Sequence, residues 1–294
     1  MKTLLTHLNP QPVPPPRVVI LGAGGFVGSA FIQCLQQANI AYLPIYRNEL
    51  DLADDNNIKK LSGLLNEKDI LIQLATHLSG NAMTTADFII NLQIIKNTCA
   101  AIATQPCQQV IYFSSDAVYS PTAAYVSETT LASPNNLYGA MHLARELALQ
   151  TTLHTLAIPY TIVRPTQIYG MDARHNAYGP CRMYRSALHQ KHIQLFGQGE
   201  ELRDFIAIDD VVKLLLFILY YKSVGTINFA TGYSISFAEL ANKIRTLLHF
   251  PIEINSLPRT QTIWHRQFDI TNLKNAFPNF CFSTLENNLA NFCH

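Results

Sequence analysis

The chain has 294 residues, 48% of them hydrophobic and 14% charged, with 21 basic residues against 20 acidic ones. That length holds one large α/β domain, or a core domain with a smaller second lobe. So even a balance carries no electrostatic footprint for nucleic acid or an anionic membrane surface, which leaves a small molecule as the expected partner.

Residues 1–16 end in NPQPVPPP, a composition that favours extended chain and blocks helix, so they read as a proline-rich leader lying over the surface, with the fold beginning at Arg17. RVVILGAG then reads as a strand running into glycines, and FVGSAFIQCLQQ as a helix. IAYLPIY is a second strand, Ile58 to Leu65 a short helix, DILIQLAT a third strand and ADFIINLQIIKNTCAAIATQ a long helix. QVIYFSS, LYGAMHLARELALQTTLHT and YTIVRP continue as strand, helix and strand. This alternation predicts a doubly wound parallel sheet with helices on both faces, and runs such as VVIL and YTIV, apolar without alternation, suit buried parallel strands. Residues 170–203 show no long periodic segment. VVKLLLFILYY reads as a buried helix rather than a membrane span, GTINFATG as a strand, and ISFAELANKIRTLLH as a helix with Ser236 and Glu239 forming a capping box. Trp264 and the other aromatics near the C-terminus are assigned to the core of the small lobe.

The six cysteines (Cys34, Cys99, Cys107, Cys181, Cys281 and Cys293) are scattered, with no C-x-x-C pair and no metal-ligand spacing. They read as reduced thiols of a cytoplasmic protein, and no metal is expected. The opening MKTLLTHLNP has too short an apolar run for a signal peptide.

Gly22, Gly25 and Gly28 lie between the first strand and the first helix. A dinucleotide pyrophosphate rests on backbone N–H groups at such a helix N-terminus, and side chains there would hold the backbone away. The second strand ends in Tyr46-Arg47-Asn48, followed by Asp51. An acidic residue in this region takes the adenosine ribose hydroxyls, whereas an arginine pairs with a 2′-phosphate; Arg47 comes first, which favours NADP(H) over NAD(H).

The G-x-x-G-x-x-G spacing, with AGGFVG at its centre, resembles the extended short-chain dehydrogenase/reductases, the NAD-dependent epimerase/dehydratase family that modifies nucleotide sugars. The resemblance continues through QVIYFSSDAVYS, the 23 residues from Ser115 to Tyr138, and Glu128, Pro134 and Glu146. It then runs through RPTQIYG, LFGQGEELRDFIAIDDV and Asn228, so it spans nearly the whole chain after the prolines. It implies a Rossmann fold over residues 17–168, with return segments at about 205–230, and a smaller substrate-binding lobe made mainly of 169–294. The implied cofactor is NAD(P), held by Gly22, Gly25, Phe26, Val27, Gly28, Arg47, Asp51, Leu52, Leu74, Ala75, Tyr138 and His142. The implied catalytic set is Ser115, Asp116, Tyr138 and His142, and Asn176, Arg182, Arg185 and Arg203 are the candidates for the nucleotide diphosphate. A homodimer packed through the Tyr138 helix and the helix before it is implied as well.

The chemistry accounts for these residue types. A tyrosine passes a proton to or from a sugar oxygen as hydride moves, but a free phenol has a pKa near ~10 and needs a neighbouring cation to act as a base at neutral pH. In the family that cation is a lysine four residues after the tyrosine, on the same helix face; here the position holds His142. Three readings stay open: a protonated His142 substitutes for the lysine, Arg145 supplies the charge, or the chemistry has lapsed and the chain is a dinucleotide-binding sensor or partner subunit. Family dehydratases carry Asp-Glu where this chain has Asp116-Ala117, so dehydration is disfavoured, and reduction of a 4-keto sugar or epimerisation through one is expected.

Overall fold

Strands that are apolar on both faces must be covered on both, and a seven-stranded sheet with helices on either side does this. The computed structural model describes residues 4–80, 82–170, 179–260 and 262–290. In chain order the first part contains β1 (Thr6–His7), β2 (Arg17–Leu21), α1 (Phe26–Gln37), β3 (Tyr42–Ile45), α2 (Ile58–Leu64), β4 (Asp69–Gln73) and α3 (Thr85–Thr104). There follow β5 (Gln109–Phe113), β6 (Tyr125–Val126), α4 (Leu137–Thr155), β7 (Tyr160–Pro165) and β8 (Gln167–Tyr169). The remainder is α5 (Pro180–Gln190), β9 (His192–Phe196), β10 (Leu202–Ala207), α6 (Ile208–Tyr220), β11 (Ser223–Phe229), β12 (Ser234–Ser236), α7 (Phe237–Leu248), β13 (Glu253–Leu257), β14 (Gln267–Phe268), α8 (Thr271–Ala276) and α9 (Leu285–Ala290).

The main sheet has the order β1-β11-β7-β5-β4-β2-β3, all parallel except the edge strand β1. The winding reverses at β2, which has β3 on one side and β4 on the other, so the crevice at the carboxyl end of β2 is the expected ligand position. Side chains leave each strand alternately. Val18, Ile20, Ile72, Ile111 and Val163 pack with α1 and α6; Val19, Leu21, Leu71, Val110 and Ile162 pack with α2, α3 and α4. A third cluster, built from α5, α7, β9 and β10, forms the small lobe.

Three expectations need correction. The fold begins before Arg17: Thr6 and His7 pair with Val224 and Ser223, Leu5 is buried, and the His7 ring reaches Ser223 Oγ and the Ala276 carbonyl, each at 2.9 Å. Composition revealed the prolines but not the partner strand, which lies more than 200 residues away in the chain. Residues 170–203 are not irregular throughout, since α5 runs from Pro180 to Gln190 with Cys181, Met183, Tyr184 and Ala187 buried on one face. Arginine and histidine on its other faces concealed the period. Trp264 is 36% exposed, and Phe268 and Phe277 join the core beneath the main sheet rather than that of the lobe. The Ser236 hydroxyl does accept from Glu239 N at 3.0 Å, while the Glu239 carboxylate turns to Tyr233 and Lys243.

One buried ion pair joins the layers near the carboxyl end of the sheet. Arg164 on β7 donates from Nη2 to Glu146 Oε2 at 2.5 Å and from Nε to Oε1 at 2.9 Å, and Ser114 Oγ, just past β5, donates to the same carboxylate at 2.5 Å. Both charged side chains are almost wholly buried. Removing one partner strands the other in a low dielectric, so Glu146→Ala should lower unfolding stability by about 3–5 kcal/mol. Urea unfolding followed by circular dichroism would register this as a lowered midpoint, and a midpoint unchanged from wild type would refute it.

Candidate active site

The glycine turn follows from close packing. Gly22 has φ +89°, and a Cβ there would lie 2.6 Å from the backbone nitrogen of Ala75, in the segment leaving β4. A Cβ at Gly28 would meet the Gly22 carbonyl at 2.5 Å. The turn is therefore pressed against both its own helix and the next strand, which only hydrogen side chains permit. The N-cap of α1, Gly25, makes no side-chain cap, so the dipole end of a 12-residue helix is left for an anion. Phe26 and Val27 open that helix: Phe26 packs against the small-lobe cluster and Val27 against the main core, so both brace the turn.

A cleft of about 680 Å³ extends from the turn, lined by Gly22, Gly24, Gly25, Arg47, Asp51, Leu52, Leu74, Ala75, Thr76 and His77 among others. Arg47 Nη1 donates to His77 Nδ1 at 2.9 Å, and its Nε lies 3.7 Å from Asp51 Oδ2. With Nδ1 accepting, the other ring nitrogen of His77 is the donor facing Asp87 Oδ1 at 3.2 Å. Hydrogen bonds from Thr84 and Ser79 hold the Asp87 carboxyl down at about 2, so this end of the chain of contacts stays ionised. Asp51 also caps its own turn, accepting from Ala53 N at 2.9 Å.

The second half of the site is built on α4. Asn136 caps the helix by accepting from Gly139 N at 2.9 Å. A Cβ at Gly139 would fall 2.0 Å from the Ala117 carbonyl, so α4 abuts the turn that carries Ser115 and Asp116. That contact is why glycine follows Tyr138, a signal in YGAMH that motif spacing alone does not use. Ser115 Oγ accepts from Ala117 N at 3.1 Å and lies 3.5 Å from Asp116 Oδ1. Tyr138 is 37% exposed, yet burial around its hydroxyl is the main influence on its pKa and raises it, assisted by Asp116 and opposed by a hydrogen bond with Ser115 and by the Arg145 cation. Burial also pushes the Asp116 carboxyl up, against the pull of the Arg266 and Arg203 guanidinium groups.

His142 is buried, with Nδ1 2.9 Å from Tyr112 Oη and its ring edge-on to Tyr138 at 4.7 Å between centroids. Burial, then the Arg145 charge, holds its pKa well below the ordinary imidazole value. A protonated His142 is thus disfavoured, and the fixed charge beside Tyr138 belongs to Arg145. Arg145 is fully buried and donates to the Ala75 carbonyl at 2.7 Å and to Asn91 Oδ1 at 3.1 Å. Because Ala75 also lines the glycine cleft, Arg145 joins the two halves of the site. Among the described residues, His142 Nε2 is a buried polar atom with no partner. The uncapped helix end, the cleft and this orphaned nitrogen together suit a dinucleotide.

The expected substrate residues are not gathered in one place. Arg203 donates to the Leu202 and Trp264 carbonyls, pairs with Glu201 at 3.5 Å and adds charge beside Asp116. Arg182 and Arg185 line a different cleft, with Ser186, His189 and Gln194, that shares no residue with the glycine cleft. Asn176 lies outside the described residues. Arg266, absent from the sequence reading, is 9% exposed, donates to the Ala123 carbonyl at 3.2 Å and stands beside Asp116. Nothing periodic marks it in WHRQFDI; the pairing of β14 with β6 brings it to Ala123 and to Asp116.

Comparison with known proteins shows the fold and the family. A GDP-L-fucose synthase from Sinorhizobium fredii (strain NBRC 101917 / NGR234) is 25% identical over 260 residues, covering 81% of this chain and 82% of that protein. The UDP-glucose 4-epimerase of Thermotoga maritima, solved with UDP-glucose, has a TM-score of 0.81 at 19% identity, covering 93% of this chain and 96% of its own. A GDP-L-fucose synthetase from Naegleria fowleri bound to NADP has a TM-score of 0.81 at 17% identity, covering 99% and 95%. Likeness at that identity establishes a shared fold. The model of the NAD dependent epimerase/dehydratase family matches residues 18–230, and the chain belongs to that family.

Proposed function

We propose that this protein is an NAD(P)-dependent enzyme that transfers hydride at a carbinol or 4-keto carbon of a nucleotide-linked sugar, as an epimerase or a 4-keto reductase. The observation that carries the reading is the contact of Gly139 with Ala117, which sets the Tyr138 phenol, on the helix whose Arg145 bonds the Ala75 carbonyl of the glycine cleft, beside Ser115 and Asp116. A bound nicotinamide supplies the hydride acceptor or donor. Gly22, Gly25, Gly28 and the first turn of α1 hold its pyrophosphate, Asp51, Leu52, Leu74 and Ala75 border the adenosine, and His142 bonds the nicotinamide-side ribose. Ser115 hydrogen-bonds the reacting sugar oxygen and Tyr138 exchanges a proton with it. The raised phenol pKa keeps that proton on Tyr138 at neutral pH, the state needed to protonate a 4-keto oxygen, so the reductive direction is favoured. Ala117 leaves Asp116 without a second carboxylate beside it, which argues against dehydration. Arg203 and Arg266 offer paired guanidinium groups to a nucleotide diphosphate.

The neutral His142 favours one alternative, a dinucleotide-binding sensor that has lost its chemistry. Turnover separates the two. With UDP-, GDP- and dTDP-linked sugars and their 4-keto forms, Tyr138→Phe should lower turnover by about 10²–10⁴-fold while dinucleotide affinity falls by no more than about fivefold, the worth of one hydrogen bond. Wild-type protein that binds dinucleotide but turns over none of these sugars would establish the sensor instead.

Arg47 supports NADP(H) over NAD(H), since it lines the cleft and its guanidinium can meet a 2′-phosphate. Losing one charge-assisted contact implies that Arg47→Ala weakens NADPH binding by about tenfold or more and leaves NADH binding nearly unchanged. Fluorescence titration with both nucleotides measures this, and equal losses for the two would reverse the assignment. The same reading includes a cytoplasmic homodimer packed through α3 and α4, a place for which the exposed Ile89 and Leu147 on those helices are suited.

A further inference from the structure

We propose that Tyr112 is a positioning residue: its phenol fixes His142 in the Nε2–H tautomer and so makes the orphaned nitrogen a hydrogen-bond donor. The inference rests on the dinucleotide reading above for the identity of the group that this donor meets.

Tyr112 lies on β5 and is fully buried, and among the described residues its hydroxyl makes one hydrogen bond, to His142 Nδ1 at 2.9 Å. A buried O–H needs an acceptor. The Arg145 guanidinium lies over the Tyr112 ring, 5.3 Å from its centroid, but arginine has only donors. The Glu146 carboxylate is engaged by Ser114 and by Arg164. His142 Nδ1 is therefore the acceptor, and a neutral imidazole whose Nδ1 accepts carries its hydrogen on Nε2. The opposite tautomer would leave two buried groups unsatisfied, the phenol hydrogen and the Nε2 lone pair, instead of one. Burial raises the Tyr112 pKa and lowers that of His142, so both stay neutral and the phenol remains the donor. The lysine expected at this position needs no tautomer control, because every hydrogen on an ammonium is a donor. A neutral imidazole carries one N–H that either nitrogen can hold, and the Tyr112 donor at Nδ1 fixes it on Nε2.

Nitrogen-15 NMR of the histidine-labelled full chain at neutral pH tests this, with the His142 signals assigned by their loss in His142→Phe. The expected result is hydrogen on Nε2 and none on Nδ1. Tyr112→Phe, which keeps the ring and its packing, should give a mixture of tautomers and weaken NAD(P)H binding by about fivefold, the worth of one neutral hydrogen bond. In a His142→Phe background the same change should cost no further affinity. Hydrogen on Nδ1 in the wild type, an unchanged tautomer in Tyr112→Phe, or a further loss in the double variant would each overturn the proposal. The Nε2–H tautomer in a protein that binds no dinucleotide would support the role of Tyr112 and overturn the functional reading.

Discussion

The site depends on a buried ion pair that has no part in the chemistry. Arg164 and Glu146 clasp β7 to α4, and Ser114 adds β5 to the same carboxylate. Tyr138 and His142 lie within three turns of Glu146 on that helix, and Ser115 follows Ser114, so one clasp sets the distance between the two halves of the proton-handling group. Its other side continues the same logic. Arg164 Nη1 donates to Tyr119 Oη, Tyr119 donates to Asn228, and the Asn228 backbone donates to Glu128. The motif residues Glu128, Glu146, Arg164 and Asn228 thus form one buried network behind the site rather than contacts to a ligand. Such networks stabilise little on balance, because desolvation offsets the attraction, but a broken one is costly. The net effect is to allow α4 one register against the sheet.

Much of the architecture was legible because local pattern and tertiary role coincide. The runs VVIL and DILIQ are apolar on both faces and become central strands, and the glycines after VVIL mark a turn that cannot accept a Cβ. Legibility failed where the deciding partner was remote. Thr6 and His7 acquire their strand from β11, Phe268 and Phe277 enter the main core through the folding-back of the C-terminal segment, and Arg266 reaches Asp116 only through tertiary structure. The motif spacing singled out Ser115, Asp116, Tyr138 and His142, which the fold draws near one another, but was silent on electrostatics. Whether His142 is charged depends on Tyr112 and Arg145, and neither reveals its orientation in a one-dimensional pattern.

The electrostatics change what the replacement of lysine by histidine means. An ammonium four residues after the tyrosine would combine two tasks, since it would donate to a ribose and it would lower the phenol pKa. Here the tasks fall to different side chains. His142 keeps an unpartnered ring nitrogen, a donor in the tautomer proposed above, but is held neutral, and Arg145, anchored by the Ala75 carbonyl and Asn91, carries the permanent charge one turn further on. The cation is therefore farther from the phenol than a direct neighbour would be, and burial together with Asp116 outweighs it, so the net effect on Tyr138 is upward. A site arranged in this way is a weaker base and a more durable acid than one with an adjacent ammonium. In the proposed reaction, that bias would suit protonation of a carbonyl better than removal of a proton from a sugar hydroxyl. On the hydride-transfer reading proposed above, the change at position 142 would act less as a loss of catalysis than as a preference for one direction of proton flow.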